Sequence, residues 1–357
     1  MTGGENKVSP VAVRLRGLPA AIWFGGAVLR GIGQVMFQNN PLTGALFLLA
    51  ILIDSLIAGP TIASQGSNAT MLFVGAILGT VVSTATAMLL GVDHDLVGAG
   101  LYGFNGTLVG IAFPFFVKTN VLLVAYIIVG AAVSTVIMAA LMNFLGHWDV
   151  PVLTAPFVFT TWIFLFALWA FSALQGTKFL PAPGLPHALV ISIPPSLGTL
   201  WPGLLEGVGE VMFQVHWIAG LIFLIGILVN SRISFVFALV GSLVGLIVGV
   251  VLGGDPSMLS AGLYGFNSVL VGIALGGFFY VLDWKSALYT IFGAAAGAIA
   301  MGAIVSALTP LGMPALTSPF VLVTWLFIFA KALFTQLRPV PPSEATTPEG
   351  NRRAATR

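Results

Sequence analysis

The chain has 357 residues, of which 58% are hydrophobic and 7% charged, with a net charge of +2 and no cysteine. Soluble domains carry roughly 25% charged residues, so an ordinary soluble fold is excluded and most of the chain is expected in lipid. The small net charge argues against nucleic-acid binding, and the missing Cys excludes disulfides, thiol catalysis and Cys-based metal sites.

Residues 1–19 form an N-terminal segment whose opening, MTGGENKVSPVAVRLRG, lacks the apolar stretch and small-residue cleavage site of a signal peptide. A short apolar piece at 20–38 is followed by five longer ones near 42–58, 71–91, 97–117, 120–144 and 153–172. These runs are continuous and do not alternate, which predicts helices and not an outer-membrane barrel. A Pro-rich connector occupies 173–203, on the extracytoplasmic side in the topology derived below. The pattern then restarts, with a short piece at 204–215 and longer ones near 217–231, 233–253, 259–281, 285–308 and 315–335. The Pro-rich, polar segment 336–357 reads as a disordered tail.

Wording restarts along with hydropathy. GIGQVMFQ (31–38) returns as GVGEVMFQ (207–214), and AGLYGFN (99–105) returns at 261–267. PVLTAPFVFTTW (151–162) matches PALTSPFVLVTW (314–325) at eight of twelve positions. Three phrases recurring in one order mark a duplicated unit, residues 20–172 and 204–335. Five spans is an odd number, so the second unit enters the membrane inverted. With a cytoplasmic N-terminus, eleven Lys and Arg fall inside and only Lys118 and Lys178 outside, in accord with the positive-inside rule. The expected fold is thus an all-α polytopic membrane protein of two inverted repeats. Each repeat has five transmembrane helices plus one re-entrant half-helix, giving ten spans with both termini cytoplasmic. The two short pieces are half-depth segments, tolerated only inside protein or along a cavity.

The candidate chemistry lies in the repeated phrases. Glu210 is an acid at membrane depth, where acids are costly and mark function, although a carboxylate that only fixes a helix end is the alternative. Its repeat mate Gln34 is a neutral amide of the same shape, and both offer an oxygen acceptor. Glu206 stands where the first copy has Arg30, and reads as an acid in a helix's first turn. Phe37 and Phe213 follow three residues after that pair. Phe104 and Phe266 lie in AGLYGFN, with Leu108 and Leu270 four residues on along the same helical face. Singly each Phe is unremarkable in a membrane helix; their pairing raises the prospect of flat aromatic walls. Asn105 and Asn267 read as interhelical hydrogen bonds. Thr154 and Thr317 precede Pro156 and Pro319, prolines expected to free backbone carbonyls one turn earlier; the hydroxyls either face a path or patch their own backbone.

Several lookalikes fall away. GAGLYG (98–103) opens an apolar span, and its second copy loses the first Gly. Asp93, His94 and Asp95 have no counterpart in the second unit, which argues against a metal there. His147, His187 and His216 lack His at their repeat positions, so a paired-His ammonium path is unsupported, and the NPA phrase of aquaporins is absent. No catalytic, zinc-binding or nucleotide-binding constellation emerges, and no cofactor is expected.

The QVMFQ and EVMFQ segments, the two AGLYGFN runs, and VPVLTAPF with MPALTSPF together resemble the urea transporter family over residues 20–335. The leading Leu of the family's repeated signature is Val150 in the first copy and Met313 in the second, a position expected to pack. The resemblance implies a passive, channel-like homotrimer with a pore through each subunit, between the two halves. It places Gln34 and Glu210 near opposite ends of a selectivity filter. Val35, Phe37, Val211 and Phe213 line the re-entrant segments, Phe104 and Phe266 wall the slots, Leu108 and Leu270 form the constriction, and Thr154 and Thr317 face the centre. Urea is planar, neutral and rich in N–H donors, which suits aromatic slots edged by oxygen acceptors. The alternative is a proton-coupled transporter of a small polar solute with Glu210 as titrating group, against which stands the lack of a second titratable partner at that depth. A signalling or structural membrane protein does not need the repeated Gln/Glu and Phe pairs. The expected location is a bacterial inner membrane, although NAT at 68–70 is a formal glycosylation sequon.

Overall fold

A computed structural model describes residues 19–186 and 196–356. The first unit contains helices α1 (Ala20–Gln34), α2 (Pro41–Ile57), α3 (Gly59–Ser64), α4 (Ala69–Leu89), α5 (His94–Gly98), α6 (Phe104–Phe116), α7 (Val121–Leu145) and α8 (Ala155–Ala167). The second contains α9 (Leu197–Gly209), α10 (Trp217–Asn230), α11 (Arg232–Val251), α12 (Pro256–Ser260), α13 (Phe266–Ile273), α14 (Trp284–Leu308) and α15 (Ser318–Phe329), and is followed by α16 (Pro348–Ala354). Among the described residues there is no strand, only isolated bridges at Val117–Gly176 and Tyr280–Pro339. The chain is a helical membrane protein.

Among the described residues four helices are long and apolar enough to cross a membrane, beginning at Ala69, Val121, Arg232 and Trp284. A bent pair, Leu200–Met212 with Trp217–Asn230, turns by 72°, and five further apolar helices are shorter. In two of these, those beginning at Phe104 and Phe266, the shortness has a local cause. The run at 97–117 breaks into α5 and α6 around Gly100, at φ 77°, and 259–281 breaks the same way at Gly262, at φ 69°.

Helix ends follow ordinary capping chemistry. Asn40, Asn68 and Asn120 each accept a backbone N–H of the helix they precede, and Asp283 closes a capping box with Ser286. Such caps are worth about 1 kcal/mol each. Helices α4 and α6 pack backbone to backbone. A Cβ at Gly75 would collide with the Gly110 carbonyl, and one at Gly79 with that of Gly106. Small residues at this spacing let membrane helices approach where lipid offers no hydrophobic drive.

Three expectations need correcting. The Pro-rich connector ends before 203, because α9 starts at Leu197. Pro156 and Pro319 begin α8 and α15 within the first turn, where a missing N–H costs nothing, so they start helices and do not disturb them. The tail is folded. Glu349 accepts hydrogen bonds from Ser231 Oγ at 2.8 Å and the Ile233 amide at 3.0 Å, and Asn351 is buried. Its composition suggested disorder, but Glu349 finds partners at the start of α11 and Asn351 at the Gly277 and Phe278 carbonyls. His187 and the basic residues at 7, 14 and 16 lie outside the described residues.

Candidate functional site

Each recurring phrase folds alike in its two copies. GIGQVMFQ ends α1 in a tight turn: the Phe37 amide donates to the Gln34 carbonyl at 3.0 Å and the Gln38 amide to that of Gly33 at 3.0 Å. GVGEVMFQ repeats it, Phe213 to Glu210 at 3.1 Å and Gln214 to Gly209 at 3.2 Å. Both turns put a Phe in left-handed conformation, φ 62° at Phe37 and 61° at Phe213. Glycine is the usual residue there, and a bulky side chain costs about 1–3 kcal/mol, so surrounding structure must hold the turn. Gln38 Nε2 bonds the Met36 carbonyl and Gln214 Nε2 that of Met212, both from fully buried side chains. Val35 and Val211 sit buried on these turns.

Gln34 and Glu210 differ in one respect. Gln34 Nε2 donates to the Ala99 carbonyl at 3.0 Å. An ionised carboxylate has no such donor. Each side chain is half-buried.

The holding comes from the opposite unit. Asp54, on α2, is buried and accepts the His216 amide at 3.1 Å and the Val215 amide at 3.4 Å, just past the second turn. Asn230, on α10, donates from Nδ2 to Gln38 Oε1 at 2.8 Å, at the first turn. Counted from the paired phrases, Asp54 and Asn230 are themselves repeat mates. Thr43 Oγ adds a bond between the same two helices, to the Gly226 carbonyl at 2.8 Å.

The units meet again at the centre, where Thr154 Oγ and Thr317 Oγ lie 2.6 Å apart, both buried. Of the two readings left open for these hydroxyls, patching their own backbone is replaced by bonding each other. Leu153 and Leu316, one residue earlier, have φ 57° and 53°. Asn105 stabilises that strained corner by donating to the Leu153 carbonyl at 3.5 Å and accepting the Phe157 amide at 3.0 Å. Asn267 does the same with Leu316 at 3.3 Å and Phe320 at 3.0 Å. These are the interhelical bonds expected of the two Asn. Indole donors cross between units: Trp162 Nε1 to the Pro314 carbonyl at 2.9 Å, and Trp325 Nε1 to that of Pro151 at 2.8 Å. Leu108 and Leu270 are fully buried in the same core.

A family model described as "Urea transporter" matches residues 26–332. The chain belongs to the urea transporter family. It is 34% identical over 350 residues to "Urea transporter 1" of Ovis aries, with 95% of this chain and 85% of the relative covered. The same protein of Capra hircus gives the same figures, and that of Rattus norvegicus is 32% identical over 342 residues. Members of the urea transporter family are transport proteins, not enzymes, and the family together with the apolar helices makes this an integral membrane protein.

Within this urea transporter the two strained Phe are packed by rings of the other unit. Phe37 meets Phe278, Phe279 and Phe320 at centroid distances of 5.0, 5.7 and 6.1 Å. Phe213 meets Phe115, Phe116 and Phe157 at 5.1, 5.7 and 6.2 Å. These six rings were missed in the sequence, although PFF and GGFF follow the AGLYGFN phrases at nearly matching distance, one residue further in the second copy, and Phe157 and Phe320 stand at the same place in PVLTAPF and PALTSPF. Phe104 and Phe266, expected as the walls, open α6 and α13 and are buried; among the described residues neither stacks on Phe37 or Phe213. Asp54 was missed too, because no repeated phrase contains it, yet an acid inside LLAILIDSLIAG was a visible signal. Glu206 stands one turn before Glu210, whose amide donates to the Glu206 carbonyl, so Glu210 does have a titratable neighbour. Among the described residues no group of three His, Cys, Asp or Glu could hold a metal.

Proposed function

We propose that the protein conducts urea passively, as a channel, through a narrow path between its two units. The observation carrying this reading is that paired residues from the two repeats converge: Thr154 on Thr317 at 2.6 Å, and each strained Phe in an aromatic cluster of the opposite unit. Packing alone does not require polar mates to meet in the middle of an apolar core. A path bounded this way offers flat apolar faces near each turn and a polar pair at its waist.

The physical logic fits a small planar amide. Removing a polar group from water without replacement costs roughly 2–7 kcal/mol. Gln34 Oε1, the Glu210 carboxyl and backbone carbonyls freed at the turns replace hydrogen bonds to urea N–H groups. Phe104 and Phe266, unstacked on Phe37 or Phe213, are the flat walls, with Val35 and Val211 beside them. Leu108 and Leu270 with the Thr pair form the drier waist. A passing solute exchanges the Thr154–Thr317 bond for its own, a swap of about 1 kcal/mol, shallow enough for fast conduction. Hydrated ions are too bulky and hold their water too tightly.

The same reading takes the units as inverted repeats with ten spans and cytoplasmic termini, supported by the odd number of long apolar runs, five, in each unit of the sequence and by the positive-inside charge bias. It takes the protein as a homotrimer in a bacterial inner membrane, with one path per subunit. Purified protein in liposomes is expected to carry urea down its gradient with no ion gradient present, and Glu210→Ala to reduce that flux strongly. A strict requirement for a proton or sodium gradient would overturn the channel reading in favour of coupled transport through Glu210.

A further inference from the structure

The two aromatic clusters are built alike but secured differently. In the first unit, Phe115 and Phe116 end the helix α6, and Ser67 Oγ donates to the Pro114 carbonyl at 2.6 Å from the loop after α3. The second unit has no such loop, since Asn230 is followed within two residues by α11. It also carries one residue more before its paired Phe: IAFPFF in the first copy reads IALGGFF in the second. The extra residue makes α13 run into a widened π turn, Ala274–Phe278, in which Gly277 takes φ 119°. Phe278 and Phe279, the rings nearest Phe37, hang on this irregular backbone.

Helix α16 fills the place left by the missing loop. Asn351 Nδ2 donates to the Gly277 carbonyl at 3.0 Å and to that of Phe278 at 2.8 Å. Its Oδ1 accepts the Thr346 amide at 3.0 Å and the Thr346 hydroxyl at 2.9 Å, so all its capacity is aimed by the tail itself. Pro348 lies over Gly277 so closely that a Cβ there would approach it to 2.8 Å. Glu349 fastens the helix to the start of α11 through Ser231 and Ile233. The Val340 amide bonds the Phe279 carbonyl at 2.9 Å. Without these donors, carbonyls of a π turn would be left unpaired, and the turn would be free to rearrange.

We propose that α16 is a strap on one mouth of the path. Asn351 is its positioning residue: it holds the Phe278–Phe279 wall against Phe37 and so sets how wide a solute that mouth admits. The inference rests on the path described under the proposed function.

The test uses the full-length chain in liposomes and compares the permeability of N-methylurea with that of urea. Asn351→Asp keeps an acceptor for Thr346 but removes the donor to the two carbonyls. The expected result is a rise in the N-methylurea to urea ratio of about fivefold, a part of what the two lost hydrogen bonds are worth, with urea flux retained. A purely structural role would lower both permeabilities together and leave the ratio at its wild-type value, which overturns the proposal. Should that variant not fold, Glu349→Ala, which unfastens the strap without touching the Phe278 carbonyl, decides by the same ratio. Wild-type protein that carries no urea overturns the path reading, and the strap with it.

Discussion

Replacing Asp54 with Ala removes the acceptor that holds the second turn from the opposite unit. The His216 bond at 3.1 Å is well formed, whereas that to Val215 at 3.4 Å is long and counts for little. A hydrogen bond to a charged acceptor is worth about 1.5–3 kcal/mol net, so the loss is about 2–3 kcal/mol. The left-handed Phe213 stores strain of about 1–3 kcal/mol. Removing the bond therefore releases the turn, and Glu210, Val211 and Phe213 with it. Asn230→Ala on the other side should cost about half as much. It breaks a bond between neutral groups, and leaves Gln38 Oε1 in the unpartnered state that Gln214 Oε1 already has. Asp54→Asn should preserve function, because an amide keeps an acceptor for His216 and adds a donor toward Gln214, as Asn230 does for Gln38. Thermal unfolding in detergent and urea flux in liposomes check the order: Asp54→Ala lowest, Asn230→Ala intermediate, Asp54→Asn near wild type. Asp54→Ala with wild-type flux and unfolding temperature would refute the idea that each turn is held by the other unit.

Glu210→Gln reproduces the side chain of its mate Gln34 and should retain much of the urea flux, while Glu210→Ala should lose most of it; stopped-flow light scattering separates them. Thr154→Val leaves the Thr317 hydroxyl buried without its 2.6 Å partner, a cost of about 1–3 kcal/mol, and should slow urea and lower the unfolding temperature together. Gly79→Leu drives a side chain into the Gly106 carbonyl and should abolish folded protein in a size-exclusion profile, whereas Gly302→Leu, with open space around its Cα, should not.

What the sequence made legible, and what it hid, follows from the kind of interaction involved. The recurring phrases singled out the turn residues, the two Asn and the two Thr because each stands in both copies of a repeated phrase, although the Asn and Thr find their partners far along the chain. Pro156 and Pro319 were misjudged because a proline's effect depends on whether the helix has already begun. The short helices were masked by hydropathy, which runs on through the breaks at Gly100 and Gly262. Asp54, Asn230 and the six packing Phe escaped because their partners are more than a hundred residues away or in the other unit. Nothing local announces such a pairing, although the repeat offset would have put Asp54 beside Asn230 as mates. The tail was misread from composition alone: Glu349 and Asn351 are ordered by acceptors and donors on α11 and the π turn that no composition argument contains.

The central claim is that urea crosses by diffusion along a path between the two units. It is tested most directly by stopped-flow urea flux into liposomes containing the purified protein, with no ion gradient and with Glu210→Ala as the matched control. The account predicts flux far above that of empty vesicles, unchanged by collapsing proton and sodium gradients and largely lost in the variant. Flux that appears only with an imposed gradient, or that is indifferent to Glu210→Ala, would contradict it.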